Sequence, residues 1–154
     1  MKDFEQIARK MLTPVAQKYG LKFAALDGDE FFLIGQGFAF WVFVDPRDGA
    51  DVWYVAIDNS GNVLTYTLMY LMEERFTSED SANYGDPNSL DERVSADLRT
   101  AAAWLVNKCQ DVLTGNKSWL QGYPDDGDYS RHVTKFLAPY FRAQGYPVIV
   151  REDR

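Results

Sequence analysis

The chain has 154 residues, 46% hydrophobic and 15% aromatic, with a formal net charge of −7. That is enough apolar side chain for one sizeable core, so residues 1–154 read as a single globular domain. No apolar run approaches the length of a membrane span, and the start MKDFEQIARKML carries acidic residues where a signal peptide needs an uninterrupted apolar stretch; a membrane partner is excluded and a cytoplasmic location expected.

The charge is unevenly spread. Residues 1–77 hold 7 basic against 11 acidic side chains, residues 78–129 hold 4 against 10, and residues 130–154 hold 5 against 2. An acidic surface with no basic patch interleaved with aromatics before the last helix repels phosphate backbones, which excludes nucleic acid and favours a basic protein or a cationic ligand.

In chain order, Phe4, Ile7, Ala8, Met11 and Val15 recur at helical spacing and predict an N-terminal amphipathic helix. Asp3 can cap it, Pro14 predicts a kink or a two-piece helix, and Gly20 suits its end. Residues 21–26 read as a strand, and Asp27-Gly28 as a two-residue hairpin into residues 31–34. Gln36-Gly37 turns the chain into residues 38–44, where nearly every side chain is large and apolar; this strand is expected in the middle of the sheet, covered on both faces. The loops at 45–51 and 58–62 set off the next strand, VWYVAI, and a fifth segment. The succession predicts an antiparallel meander of four to five strands.

Residues 63–76 fit both the strand and the helix period, and a fifth strand running into a short helix at residues 69–75 is expected. Ser89-Leu90-Asp91-Glu92 is a capping box, predicting a helix over residues 90–114 with Leu90, Val94, Leu98, Ala101, Leu105, Cys109 and Val112 inward. A last helix over residues 130–144 carries Val133, Phe136, Leu137, Tyr140 and Phe141, with Pro139 inside it; the tail 148–150 fits an edge strand or coil. The fold class is therefore α+β: an N-terminal helix, the meander, then two or three C-terminal helices packed on one sheet face.

Catalytic motifs are missing from the sequence. Cys109 is the only cysteine and lies on the apolar helix stripe, where a thiol is inert; with His132 the only histidine, zinc is excluded. The aspartates around Gly127 lack the glutamate of a calcium loop, because position 136 is phenylalanine. Gly35-Gln36-Gly37 lacks the third glycine of a phosphate loop. No cofactor and no metal are expected.

Two constellations remain. Trp119, Tyr123 and Tyr129 lie in a polar loop with Asp125, Asp126 and Asp128, the composition of a protein-recognition patch, although packing of the loop on its own domain explains the rings equally well. His132 with Asp128 four residues earlier could serve as an acid/base pair, or as an ion pair at a helix start. In size and acidity the chain resembles the inhibitors and immunity proteins that bacteria keep against basic toxin enzymes. A non-enzymatic protein-binding domain acting on a basic partner is accordingly expected; the alternatives are a small-ligand protein or enzyme with a site near His132, and a structural homo-oligomer subunit.

Overall fold

A computed structural model describes residues 3–45, 47, 49–78, 88–123 and 126–151. Helix α1 (Glu5–Tyr19) precedes five strands, β1 (Lys22–Ala25), β2 (Glu30–Gly35), β3 (Phe38–Asp45), β4 (Gly49–Ile57) and β5 (Val63–Thr67). There follow α2 (Met69–Arg75), α3 (Leu90–Lys108), α4 (Gln110–Leu113), a short 3₁₀ helix (Ser118–Gly122) and α5 (Arg131–Ala143). The strands form one antiparallel sheet in the order β1-β2-β3-β4-β5, the expected meander with the aromatic strand β3 at its centre. No helix among the described residues is long and apolar enough to cross a membrane.

Alternation along the strands divides the core in two. Phe31, Leu33, Phe38, Phe40, Val42, Val52, Tyr54 and Ala56 point to one face, where α1 and α3 cover them with Ala8, Leu12, Val15, Val94, Leu98, Trp104 and Leu105. Phe32, Ile34, Ala39, Val55, Ile57 and Val63 point to the other, where Val133, Leu137 and Phe141 of α5 cover them. The C-terminal helices thus pack on the sheet as expected, but not all on one face. With α1 and α3 filling the first face, the apolar stripe of α5 can be buried only on the second.

Local signals hold with four adjustments. Ser89 Oγ accepts the Glu92 amide at 3.2 Å and Glu92 accepts the Asn88 amide at 2.7 Å, a capping box displaced by one residue on its return bond. The expected two-residue hairpin at Asp27-Gly28 is a longer loop, in which Asp27 Oδ1 accepts the amides of Asp29 and Glu30 at 3.1 and 2.9 Å. The Leu26 and Asp27 amides donate to the Glu30 carbonyl at 3.0 and 3.4 Å, and the side-chain bonds brace the loop that these close. Helix α1 runs unbroken through Pro14, since Ala8 and Leu12 before it and Val15 and Ala16 after it are buried in the same core. The long helix predicted to residue 114 breaks at Cys109, because Arg75 draws the Lys108 carbonyl outward with a 3.1 Å bond while pairing Asp111 through both carboxylate oxygens at 2.7 and 3.0 Å. Cys109 itself is buried. The tail 148–150 is coil, tied down by the Ile149 amide donating to Gly61 at 2.9 Å.

Candidate protein-binding surface

The loop singled out for its aromatics is a strap that carries the chain around the β5 edge from the first sheet face to the second. Lys117 anchors its start by donating to the Ile57 carbonyl at 3.1 Å. Trp119 packs on the first core with its ring 4.9 Å from Tyr54 and 5.9 Å from Tyr123. Its Nε1 is buried with no hydrogen-bond partner among the described residues. Tyr123 meets Tyr66 and Tyr70 edge-on and donates its hydroxyl to the Thr67 carbonyl at 2.7 Å. Asp128 exchanges backbone bonds with Thr65 at 2.7 and 2.9 Å, closing part of the open β5 edge.

Gly127 makes that crossing possible: it sits at φ 84°, and a Cβ there would lie 2.7 Å from the Tyr66 ring. Asp126 is exposed, and its charge adds to burial in pushing the Tyr66 phenol pKa up. Tyr129 accepts the Arg151 amide at 2.7 Å, with the Arg151 guanidinium 5.4 Å from its ring. Asp125 lies outside the described residues. The described aromatic groups of the loop are thus committed to contacts within the chain.

His132 does not meet Asp128. Its Nε2 is 2.9 Å from Glu30 Oε1 and its Nδ1 is 3.1 Å from Ser130 Oγ, two residues that sequence reasoning did not connect with it. With the ring proton on Nε2, His132 donates to Glu30 and Ser130 can donate to Nδ1. Ser130 Oγ is at the same time the cap of α5, accepting the Val133 amide at 3.4 Å.

Glu30 is the hinge between these bonds and a second feature. Its Oε1 also accepts the indole N–H of Trp41 at 3.0 Å. On the neighbouring strand, Asp51 Oδ2 accepts the indole N–H of Trp53 at 3.1 Å. Trp41, Phe43 and Trp53 form a continuous half-buried aromatic platform, with ring centroids 5.1 to 6.3 Å apart. Strand register explains it. Glu30 pairs Phe43 and Phe43 pairs Asp51, so two carboxylates flank one phenyl ring in a single row across three strands, their Cα atoms about 10 Å apart. The next row holds the buried Phe32, then Trp41 and Trp53. A hollow of about 290 Å³ beside the platform is lined by Phe43, Asp45, Gly49, Ala50 and Asp51.

The platform is only half-buried because the strands outrun their cover. A helix of 13 residues spans about 20 Å, whereas a strand of 9 spans about 30 Å. Helix α5 stacks Phe136 on Phe32 at 4.9 Å, and its first turn reaches Trp41 through His132 at 5.7 Å. Phe43, Asp51 and Trp53 lie beyond that turn. Sequence reasoning expected the strand with Trp41 and Phe43 to be covered on both faces and placed Asp51 in the loop before the next strand; the signal available was that Ala39 gives way to the far larger Trp41 and Phe43 on the same face.

Asp27 and Asp29 add further negative charge beside Glu30's end of the row, the carboxylate oxygens of the three lying within 4.8 Å of one another. A hydrogen bond from its own carboxyl to Asp27, reinforced by burial and by the charges of Asp27 and Glu30, raises the Asp29 pKa to about 6. The raised value means that folding favours the protonated form, so this contribution to stability is complete below the ordinary carboxylate range and is lost as pH rises through about 6. Asp29→Asn, which keeps a donor to Asp27, should therefore melt higher than the parent at pH 7.5, with the gap closing as pH falls towards 4. A gap independent of pH in thermal melts would show that the two carboxyls are not coupled.

On the first face a separate cleft of about 280 Å³ opens between α2, α3 and β4, with Leu68, Met72, Phe76, Trp104 and Leu105 in its wall and Arg93 and Asp97 also lining it. Asp97 accepts the Ala50 amide at 2.9 Å. Comparison of the chain with protein-family models, with curated proteins and with solved structures yields no match.

Proposed function

We propose that this protein is a non-enzymatic binding domain for a basic protein, of the kind that inhibits or neutralises its target, and that the open half of the second sheet face is its contact surface. The observation that carries this reading is the Trp41, Phe43 and Trp53 platform with Glu30 and Asp51 fixed to the two indole N–H groups. Large rigid rings supply contact area at little entropic cost, and carboxylates around them draw in positive surface. Because each indole is already clamped, little ordering remains to be done on binding.

The reading replaces the 116–129 loop, whose rings serve the β5 edge, with a surface built on strands. Binding partners recovered from cells should be basic, and two kinds of variant separate their contributions. Glu30→Gln with Asp51→Asn should chiefly slow association and flatten its salt dependence, whereas Trp53→Ala should chiefly speed dissociation, by about 2 kcal/mol for a central anchor. A partner whose kinetics ignore these three changes but respond to Trp119→Ala or Tyr123→Ala places the contact on the strap and overturns the assignment.

A further inference from the structure

We infer that the basic partner presents an arginine, in preference to a lysine, whose guanidinium lies over the Phe43 ring among the carboxylates of Glu30, Asp45 and Asp51. The inference rests on the reading of this face as a surface for a basic protein and names the chemistry that it recognises. Phe43 is the centre of the row, with Glu30 and Asp51 as its direct cross-strand neighbours and Asp45 two residues along the same strand, hence on the same face. The hollow beside the ring is bounded by Asp45 and Asp51.

Geometry favours a planar cation. A guanidinium can lie flat on a ring while its edge N–H groups meet carboxylates at the ring's border; an ammonium is a compact, strongly hydrated point charge that must give up water to do either. Glu30 and Asp51 are also held in position for this role, each by an indole N–H. Glu30 Oε1 is shared by Trp41 and His132.

The chain builds the same arrangement within itself. The Arg9 guanidinium lies 4.6 Å from the centroid of Phe23, and its Nε is held by Glu5 at 2.8 Å. Arg47, exposed, lies 3.5 Å from Asp45, and an incoming arginine would compete with it for that carboxylate.

The test is a titration of isotope-labelled protein with tri-arginine and with tri-lysine at equal ionic strength, reading the four indole N–H resonances. Trp41 and Trp53 should shift with tri-arginine while Trp104 and Trp119, both packed in the first core, stay in place. Tri-arginine should bind about three- to fivefold more tightly than tri-lysine, and Phe43→Leu should remove that preference while leaving the weaker, purely ionic binding. The unshifted Trp104 and Trp119 signals report whether the variant is folded. Equal affinity for the two peptides, or a preference that survives Phe43→Leu, overturns the arginine assignment and leaves the basic-partner surface standing. No shift at Trp41 or Trp53 with either peptide overturns both.

Discussion

Replacing Phe40 by aspartate should abolish cooperative folding. Phe40 is fully buried at the centre of β3, paired across the sheet with Leu33 and Tyr54, and its ring meets those of Phe38 and Tyr54 edge-on at 6.0 and 5.7 Å. A carboxylate there has no partner, and burying it costs several kcal/mol on top of the lost ring, against a total stability of about 5–15 kcal/mol for a typical domain. Loss of the near-ultraviolet circular dichroism signal and of a sigmoidal melt is the expected result. The same substitution at Phe43, three residues along the strand and on the open face, should leave a folded protein, because the new charge can stay hydrated. If Phe40→Asp melted like the parent, β3 would not be the central strand; if Phe43→Asp unfolded, the platform would be core.

The second large effect concerns the other layer. Phe141 is fully buried in the α5 core and packs against the Tyr146 ring at 6.3 Å, while its carbonyl accepts the Tyr146 amide at 3.0 Å. Phe141→Ala removes the largest fully buried side chain that α5 contributes and should lower the unfolding free energy by about 3–5 kcal/mol. Hydrogen exchange should rise more in α5 than in α3, since α3 belongs to the opposite core. A loss below about 1 kcal/mol in denaturant titration would mean that α5 adds little to stability, well short of the range expected for a buried phenylalanine. Because α5 also positions His132 against Glu30, the variant should disturb the platform edge at Trp41 before it disturbs Trp53.

Much of the fold was legible in the residues because the signals involved are local. The period-two alternation of β2 to β4, the turns between them, the passage from β5 into α2 and the Ser89 capping box all arise from neighbours within a few positions. The break at Cys109 was not legible, since it depends on Arg75 reaching the Lys108 carbonyl from 33 residues away. Nor was the length of the β1 to β2 loop, where the Asp27 side chain adds its own bonds to the backbone bonds that close the turn.

The candidate site divides in the same way. Composition alone determined that an acidic surface was to be expected, with the aromatics of the sheet read as core, and alternation along β3 places Trp41 and Phe43 on one face. What covers each of the half-buried aromatic residues was decided by tertiary structure, through two facts about distant elements. The strap from residue 116 to residue 129 crosses the β5 edge, so Trp119 and Tyr123 are drawn against Tyr54 and Tyr66. Helix α5, forced onto the second face because α1 and α3 occupy the first, is shorter than the strands beneath it. Side-chain pattern fixes the direction in which a residue points, but burial depends on how far the covering element reaches, and that distance is set by packing between segments remote in the chain.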